Sequence, residues 1–394
     1  MNQIVFPTAF DGALRHPASF FGAERSERIE ATAIDVALLH SWQALDGRSG
    51  EANIFDESRV LPAALAHCDP RGMAELFLLW EGAPRASQLI GLMPLSLERR
   101  YGARPLPHWQ NWLHPNAFLG NPLIAPGRER VFWQALLAEL DIAPGAGLFF
   151  HLNGVALGGP VAEALLSVCA DERRRCDVVC RHQRAFLRSD LTAKAYYEQA
   201  VRPKKRKELR RQKRRLEELG RLDFERSDGS QGLEEWIDAF LALEAAGWKG
   251  QGQSALGSQD STRALFHDML GAMARDGRLE LLSFSFESAP IAMLVNLRSG
   301  DGVFSFKTAF DESFARFSPG VLLQIENYAL LDRPGFGWAD SCAAPDHPMI
   351  DSLWTERRAI GRVSVAIGGA ARRLAFAGLR KAEDWMAARG GDRA

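Results

Sequence analysis

Between Leu279 and Phe310 the chain carries three apolar runs of strand length: LELLSFSF (279–286), IAMLVNL (291–297) and GVFSFKTAF (302–310). Only short turns part them. Strands so close in sequence form antiparallel neighbours, because parallel pairing needs a crossover of about a dozen residues or more. Ser318-Pro319-Gly320 follows and opens a helix predicted to reach Leu331, with Pro at the first helical position. Further strands are predicted over 335–342 and 362–367. Upstream lie a strand at 222–225 and two helices, 233–246 and 262–275, the first with Trp236, Phe240 and Leu243 at core spacing.

The preceding residues repeat this plan with weaker signals. A helical run over 26–45 and a second ending at Ala66 come first. Strand-length runs at 75–80 and 88–97 flank a turn at Gly82-Ala83-Pro84. Residues 105–126, rich in Pro, Asn, His and Trp, predict an ordered irregular loop. A helix over 129–140 and a buried strand at 148–152 complete the unit. The expected fold class is α/β: two tandem halves, each a mixed, mostly antiparallel sheet flanked by helices. Boundaries are expected at 1–183 and 184–370, with a C-terminal helix over 371–394 packing on the first half.

A chain of 394 residues suits two domains, and 46% hydrophobic with 25% charged residues is a globular mix. The N-terminus lacks the pattern of a secretory signal, and no run of about 20 uninterrupted apolar residues exists for a membrane span. A cytoplasmic protein is expected. The five cysteines are scattered, and Cys169, Cys176 and Cys180 have no matching Cys/His quartet, so no metal site is expected. Walker, Gly-x-Ser-x-Gly and His-Glu-x-x-His patterns are absent.

The formal net charge of -1 excludes a surface coated for nucleic acid, yet the charge is uneven. Residues 202–215 hold ten Lys or Arg and one Glu, on a helix predicted over 203–219. That helix either meets an anionic partner, with Lys205 and Arg206 as substrate-binding candidates, or is a solvated face docked by Leu209, Leu216 and Leu219. A strand feeding a Ser-Pro-Gly helix start presents unpaired amides at the positive end of a helix dipole, a seat for a pyrophosphate. Ser318, Gly320 and Val321 are its residues, with Arg316 beside them. An ordinary helix cap explains the same letters.

The run 240–250 ending Gly247-Trp248-Lys249-Gly250, the segment Phe317-Ser318-Pro319-Gly320, and Asp340 to His347 followed by Leu353-Trp354 resemble the GNAT acetyltransferases associated with bacterial cellulose and exopolysaccharide biosynthesis. The basic stretch 204–211 belongs to the same likeness, which covers about residues 200–360. That group is similar to the Fem-type aminoacyltransferases, which are tandem GNAT folds. The resemblance implies acyl transfer from acetyl-CoA, or another acyl-CoA, to an amine or hydroxyl. The donor would lie between the strands at 302–310 and 335–342. One departure stands out: the usual phosphate loop has a second small residue, and here Gly320 is followed by Val321-Leu322.

Acyl transfer needs a base for the acceptor's proton. Asp340 at a strand end is the first candidate and Asp346-His347 the second; a turn cap and a solvent-facing loop are the plain alternatives. Trp248 and Lys249 are candidates for the acceptor, or else pack and cap a helix end. Lys307, mid-strand, faces either the donor cleft or solvent. Two other functions fit the same likeness: a Fem-type transferase drawing on aminoacyl-tRNA, and a non-catalytic scaffold of a polysaccharide-synthesis complex.

Overall fold

The computed structural model describes residues 20–21, 23–247 and 255–390. Its strands are β1 (Phe20–Phe21), β2 (Glu24–Glu30), β3 (Ala74–Trp80), β4 (Leu89–Glu98), β5 (His108–Asn111), β6 (Leu123–Ile124) and β7 (Phe149–Ala156). They continue with β8 (Cys176–Leu187), β9 (Leu222–Ser227), β10 (Leu279–Phe286), β11 (Ala289–Ser299), β12 (Gly302–Phe310), β13 (Trp338–Asp340) and β14 (Glu356–Ala366). All belong to one sheet, in the order β1-β2-β3-β4-β5-β7-β14-β8-β13-β12-β11-β10-β9, with β6 on β4.

That order is nearly a palindrome. In the first half β2 to β5 run antiparallel and β7 then joins β5 in parallel. In the second, β9 to β12 run antiparallel and β13 joins β12 in parallel. The last strand of each half is given to the other: β14 pairs with β7, β8 pairs with β13, and β8 and β14 pair with each other at the centre. The continuous apolar sequences of β3, β4 and β10 follow from burial on both faces by helices.

Three expectations change. Residues 26–30 belong to strand β2, not the start of a helix; the helix begins at Val36 after Asp35, whose side chain accepts the Leu38 amide at 2.8 Å. A boundary at 183/184 falls inside β8, an exchanged strand with an exposed, Arg- and Cys-bearing outer edge that hides its apolar period. The irregular loop at 105–126 holds two short strands, β5 and β6. The C-terminal helix Ala370–Gly390 lies on the first half: Phe376 stacks on Phe149 at 5.3 Å, and Arg104 pairs with Glu383 at 2.9 Å.

Candidate functional site: a cavity between parting strands

The parallel strands β12 and β13 pair only at Gly302↔Trp338, Val303↔Ala339 and Phe304↔Asp340. Beyond that point β13 ends while β12 runs on to Phe310, so the two chains part. A bulge sits where they diverge: Val295 faces Lys307 and Asn296 faces Ser305, leaving Phe306 as the extra residue. The opening is a cavity of about 800 Å³ with Ser305 to Thr308 and Phe310 on one side and Ser341 to Ala344 on the other. Such a volume suits a small-molecule ligand.

Four further segments close it. The helix Pro319–Glu326 points its first turn inward, through Ser318, Gly320 and Val321. Ser318 has φ 54°, a left-handed conformation uncommon for a residue with a side chain, and it turns the chain sharply from the preceding single turns of 3-10 helix. Pro319 has no N–H, and the Gly320 and Val321 amides precede the first residue whose N–H returns to the helix, Leu322, which donates to the Ser318 carbonyl at 3.0 Å. His347, Met349 and Ile350 form the next wall, Ala255, Leu256, Gln259 and Thr262 another, and Pro115, Asn116 and Phe118 of the first half the last.

The structure thus brings Lys307, Ser318, Gly320, Val321 and His347 around one space. His347 is half-buried, and its Nδ1 is shielded from solvent with no hydrogen-bond partner among the described residues. The other candidates lie elsewhere. Arg316 is exposed, its guanidinium 4.7 Å from the Phe317 ring, and does not line the cavity. Asp346 is exposed at a left-handed turn. Lys205 donates to the Ser352 hydroxyl, and Arg206 to the carbonyls of Val201, at 2.8 Å, and Glu198. These two therefore dock the helix Pro203–Glu217. Trp248 and Lys249 fall outside the described residues.

Asp340 is not placed to act as a base. It is fully buried, and Oδ2 accepts from Arg184 at 2.6 Å and from Arg358 at 3.3 Å, while Oδ1 accepts the Cys342 amide at 2.9 Å. A carboxylate held by two guanidiniums and an amide has given its lone pairs to structure. Cys342, which does line the cavity, is no nucleophile either: burial, then the Asp340 charge, pushes its thiol well above the usual range.

His114, unremarked in the sequence, sits under the first-half wall. It is buried, its Nδ1 accepts the Asn116 amide at 3.2 Å, and its Nε2 has no partner. Burial, and then the Lys307 charge, lower its pKa to about 4, so the ring is neutral near pH 7. Arg184, Phe118 and Asn116 were equally hidden, since all three act from the other half of the chain.

The matching place in the first half is filled. There β5 and β7 pair at Trp109↔Phe150 and Gln110↔His151, and then the loop 112–122 packs between them. Asn111 stitches it, donating to the carbonyls of Gly120 at 3.2 Å and Asn153 at 2.9 Å and accepting the Asn153 amide at 2.7 Å. Gly120 is pressed so close that a Cβ there would lie 2.0 Å from the Asn153 oxygen. One architecture thus gives a cavity in one half and a plug in the other, and the plug's outer residues wall the cavity.

Residues 203–336 match the model of the acetyltransferase (GNAT) domain. Comparison with curated protein sequences gave no match. Among solved structures, FemX superposes with a TM-score of 0.55 at 11% identity, covering 83% of this chain and 95% of FemX. A conserved protein of unknown function from Bacteroides thetaiotaomicron VPI-5482 gives 0.51 at 12% identity, covering 84% and 98%. No helix among the described residues is long and apolar enough to cross a membrane. Residues 203–336 thus resemble a GNAT acetyltransferase domain, set in a two-half α/β fold similar to that of FemX.

Proposed function

We propose that the chain is an acyltransferase that moves an acetyl or other acyl group from acyl-CoA to an amine or hydroxyl. The observation that carries this reading is the cavity opened by the parting of β12 and β13 beside the helix start at Ser318. On the parted stretch β12 runs on beyond its pairing with β13, and its backbone edge suits the amide groups of a pantetheine arm. The amides of Gly320 and Val321 suit a pyrophosphate. His347 takes the proton of the acceptor as its nitrogen or oxygen attacks the thioester carbonyl. The tetrahedral intermediate collapses, the C–S bond breaks, and the departing thiolate takes up a proton.

A Fem-type reading, with aminoacyl-tRNA as donor, rests on the fold shared with FemX and on the basic helix. That helix packs on Glu312–Phe317, the segment leading to Ser318, and Lys204, Lys207, Arg210 and Arg215 stand exposed with no hydrogen bond or ion pair among the described residues. The acyl-CoA reading extends to a role in polysaccharide or cell-envelope synthesis in the cytoplasm, and a non-catalytic scaffold of a polysaccharide-synthesis complex is a separate alternative.

Thiol release from acetyl-CoA, followed on addition of a panel of amines and sugars, tests the proposal. Release dependent on acceptor and lost in His347→Ala supports it. Transfer from aminoacyl-tRNA alone supports the Fem-type donor, and no transfer from either with intact CoA binding supports the scaffold.

A further inference from the structure

Behind the cavity wall lies a set of buried polar side chains that the proposed mechanism does not use. Glu280 on β10, Asn296 on β11 and Ser305 on β12 stand opposite one another across three adjacent strands. Asn327, at the end of the helix Pro319–Glu326, joins them, and all four are buried. The Ser305 hydroxyl donates to Asn296 Oδ1 at 2.8 Å, and Asn296 Nδ2 donates to Asn327 Oδ1 at 2.7 Å. Asn327 Nδ2 then donates back to Ser305 Oγ at 3.1 Å, which closes a ring. The second amide protons also have acceptors, Glu280 Oε2 at 2.9 Å for Asn296 and Gln324 Oε1 at 3.4 Å for Asn327. A complete buried network of this kind rigidifies what it joins, and the loss of one member leaves the others unpaired.

What it joins are the two parts of the cavity that face the donor. Asn296 and Ser305 pair at the bulge that makes Phe306 the extra residue of β12, so the ring fixes the course of that strand's edge. Asn327 directly follows the helix whose first turn enters the cavity. Arg226 secures the same helix end, donating to the Glu326 carbonyl at 2.8 Å and to Glu280. Arg333 donates to Glu280 as well. Ser305 and Gln324 line the cavity, whereas Glu280, Asn296 and Asn327 do not.

The residue type at 296 follows from the ring. A leucine of similar volume would leave Ser305, Asn327 and Glu280 each short of a partner. An aspartate would remove the donor that Asn327 needs and set a second carboxylate against Glu280.

We infer that Asn296 is a positioning residue: from behind the sheet it holds the β12 bulge and the helix Pro319–Glu326 in the mutual placement that the acyl donor requires. The word donor rests on the acyl-CoA reading above, while the holding role stands on the ring itself.

The test compares full-length Asn296→Leu, Asn327→Leu and their double variant with Leu136→Ala, a truncation of a fully buried side chain in a first-half helix. All are measured well below their melting temperatures. Hydrogen exchange without ligand reads the holding role: Asn296→Leu speeds exchange of the amides at 302–310 and 319–326 about tenfold or more and leaves β3 and β4 at wild-type rates. Calorimetric titration of CoA reads the donor role. Asn296→Leu and Asn327→Leu each weaken binding about tenfold or more, though neither side chain lines the cavity, and the double variant weakens it little further because the ring is already open. Leu136→Ala lowers the melting temperature and leaves both readouts unchanged. Wild-type exchange at 319–326 in Asn296→Leu, CoA affinity within about twofold of wild type in that variant, or an equal loss in Leu136→Ala overturns the inference. If Asn296→Leu does not fold, Asn327→Leu decides by the same two readouts. If wild type binds no CoA, the donor reading fails, and hydrogen exchange alone decides the holding role.

Discussion

Arg184 and Asp340 face each other at 2.6 Å across the seam between the halves, and both are buried. Arg184 lies on β8, the strand the first half lends to the second, and its other Nη donates to the Phe118 carbonyl at 2.6 Å. One guanidinium therefore ties the Phe118 wall of the cavity to the strand end that leads into Ser341 and Cys342. Breaking one partner strands a buried charge, which costs about 3–5 kcal/mol. Urea unfolding of Asp340→Ala should show a loss of that order. Arg184→Met combined with Asp340→Leu should lose less than Asp340→Ala. A loss below about 1 kcal/mol in Asp340→Ala would mean the pair does not join the halves.

His347 is the base we propose, because it lines the cavity and Asp340 and Asp346 do not. His347→Ala should lower kcat about 10²–10⁴-fold with CoA affinity retained. Asp346→Ala, in an exposed turn, should change kcat by less than about threefold. Steady-state kinetics on both variants, with CoA binding measured beside them, checks this; the reverse ranking would move the role to Asp346.

His114 predicts an acid limb in stability. Its folded pKa of about 4 lies below the ordinary His value, so between pH 6.5 and 4 the unfolded chain takes up a proton that the folded one refuses. Stability from this group is present above pH 6.5 and is lost as pH falls toward 4, by about 3 kcal/mol over the window. His151, lowered to about 3 by burial and then by His108, acts in the same sense. Asp46, raised to about 7 by burial and then by Glu57, acts in the opposite one. The test is therefore a difference: His114→Asn keeps an acceptor for the Asn116 amide and should flatten the wild-type slope of unfolding free energy against pH. An identical slope would show the ring to titrate normally.

Lys204, Lys207, Arg210 and Arg215 are the cations of the basic helix that protein contacts leave over. Changing all four to Gln should leave the melting temperature and CoA affinity unaltered. It should raise KM for a polyanionic substrate and flatten its dependence on salt. Lys205→Gln and Arg206→Gln should instead lower thermal stability, since these two side chains hold the helix in place. A fourfold Gln variant with unaltered KM across a salt titration would leave those charges as a solvated face.

The second half was readable because its elements carry local signals: apolar runs of strand length for β10 to β12 and Pro319 at a helix start. The cavity residues Lys307, Ser318, Gly320, Val321 and His347 came from that same stretch. Asp340 was misread because an acid at a strand end looks the same whether it faces a cavity or two arginines 156 and 18 residues away. β8 was missed because its exposed residues, Val178, Cys180, Arg181 and Gln183, mix apolar and polar side chains and break any apolar period. Phe118 and Asn116 were illegible for a deeper reason. The exchange of β8 and β14 brings the first-half loop to the second-half cavity, and no local pattern encodes a contact made through another domain's sheet.

The most direct test of the account is calorimetric titration of acetyl-CoA into the full-length protein and into Gly320→Asp. At Gly320 a Cβ would already lie 3.4 Å from the Met349 sulfur, and the added carboxylate would stand at the proposed phosphate seat. The account predicts saturable one-to-one binding to wild type, none to a folded Gly320→Asp, and binding within about twofold of wild type for Arg316→Ala, whose side chain lies outside the cavity. Unchanged affinity in folded Gly320→Asp, or no binding to wild type, would contradict it.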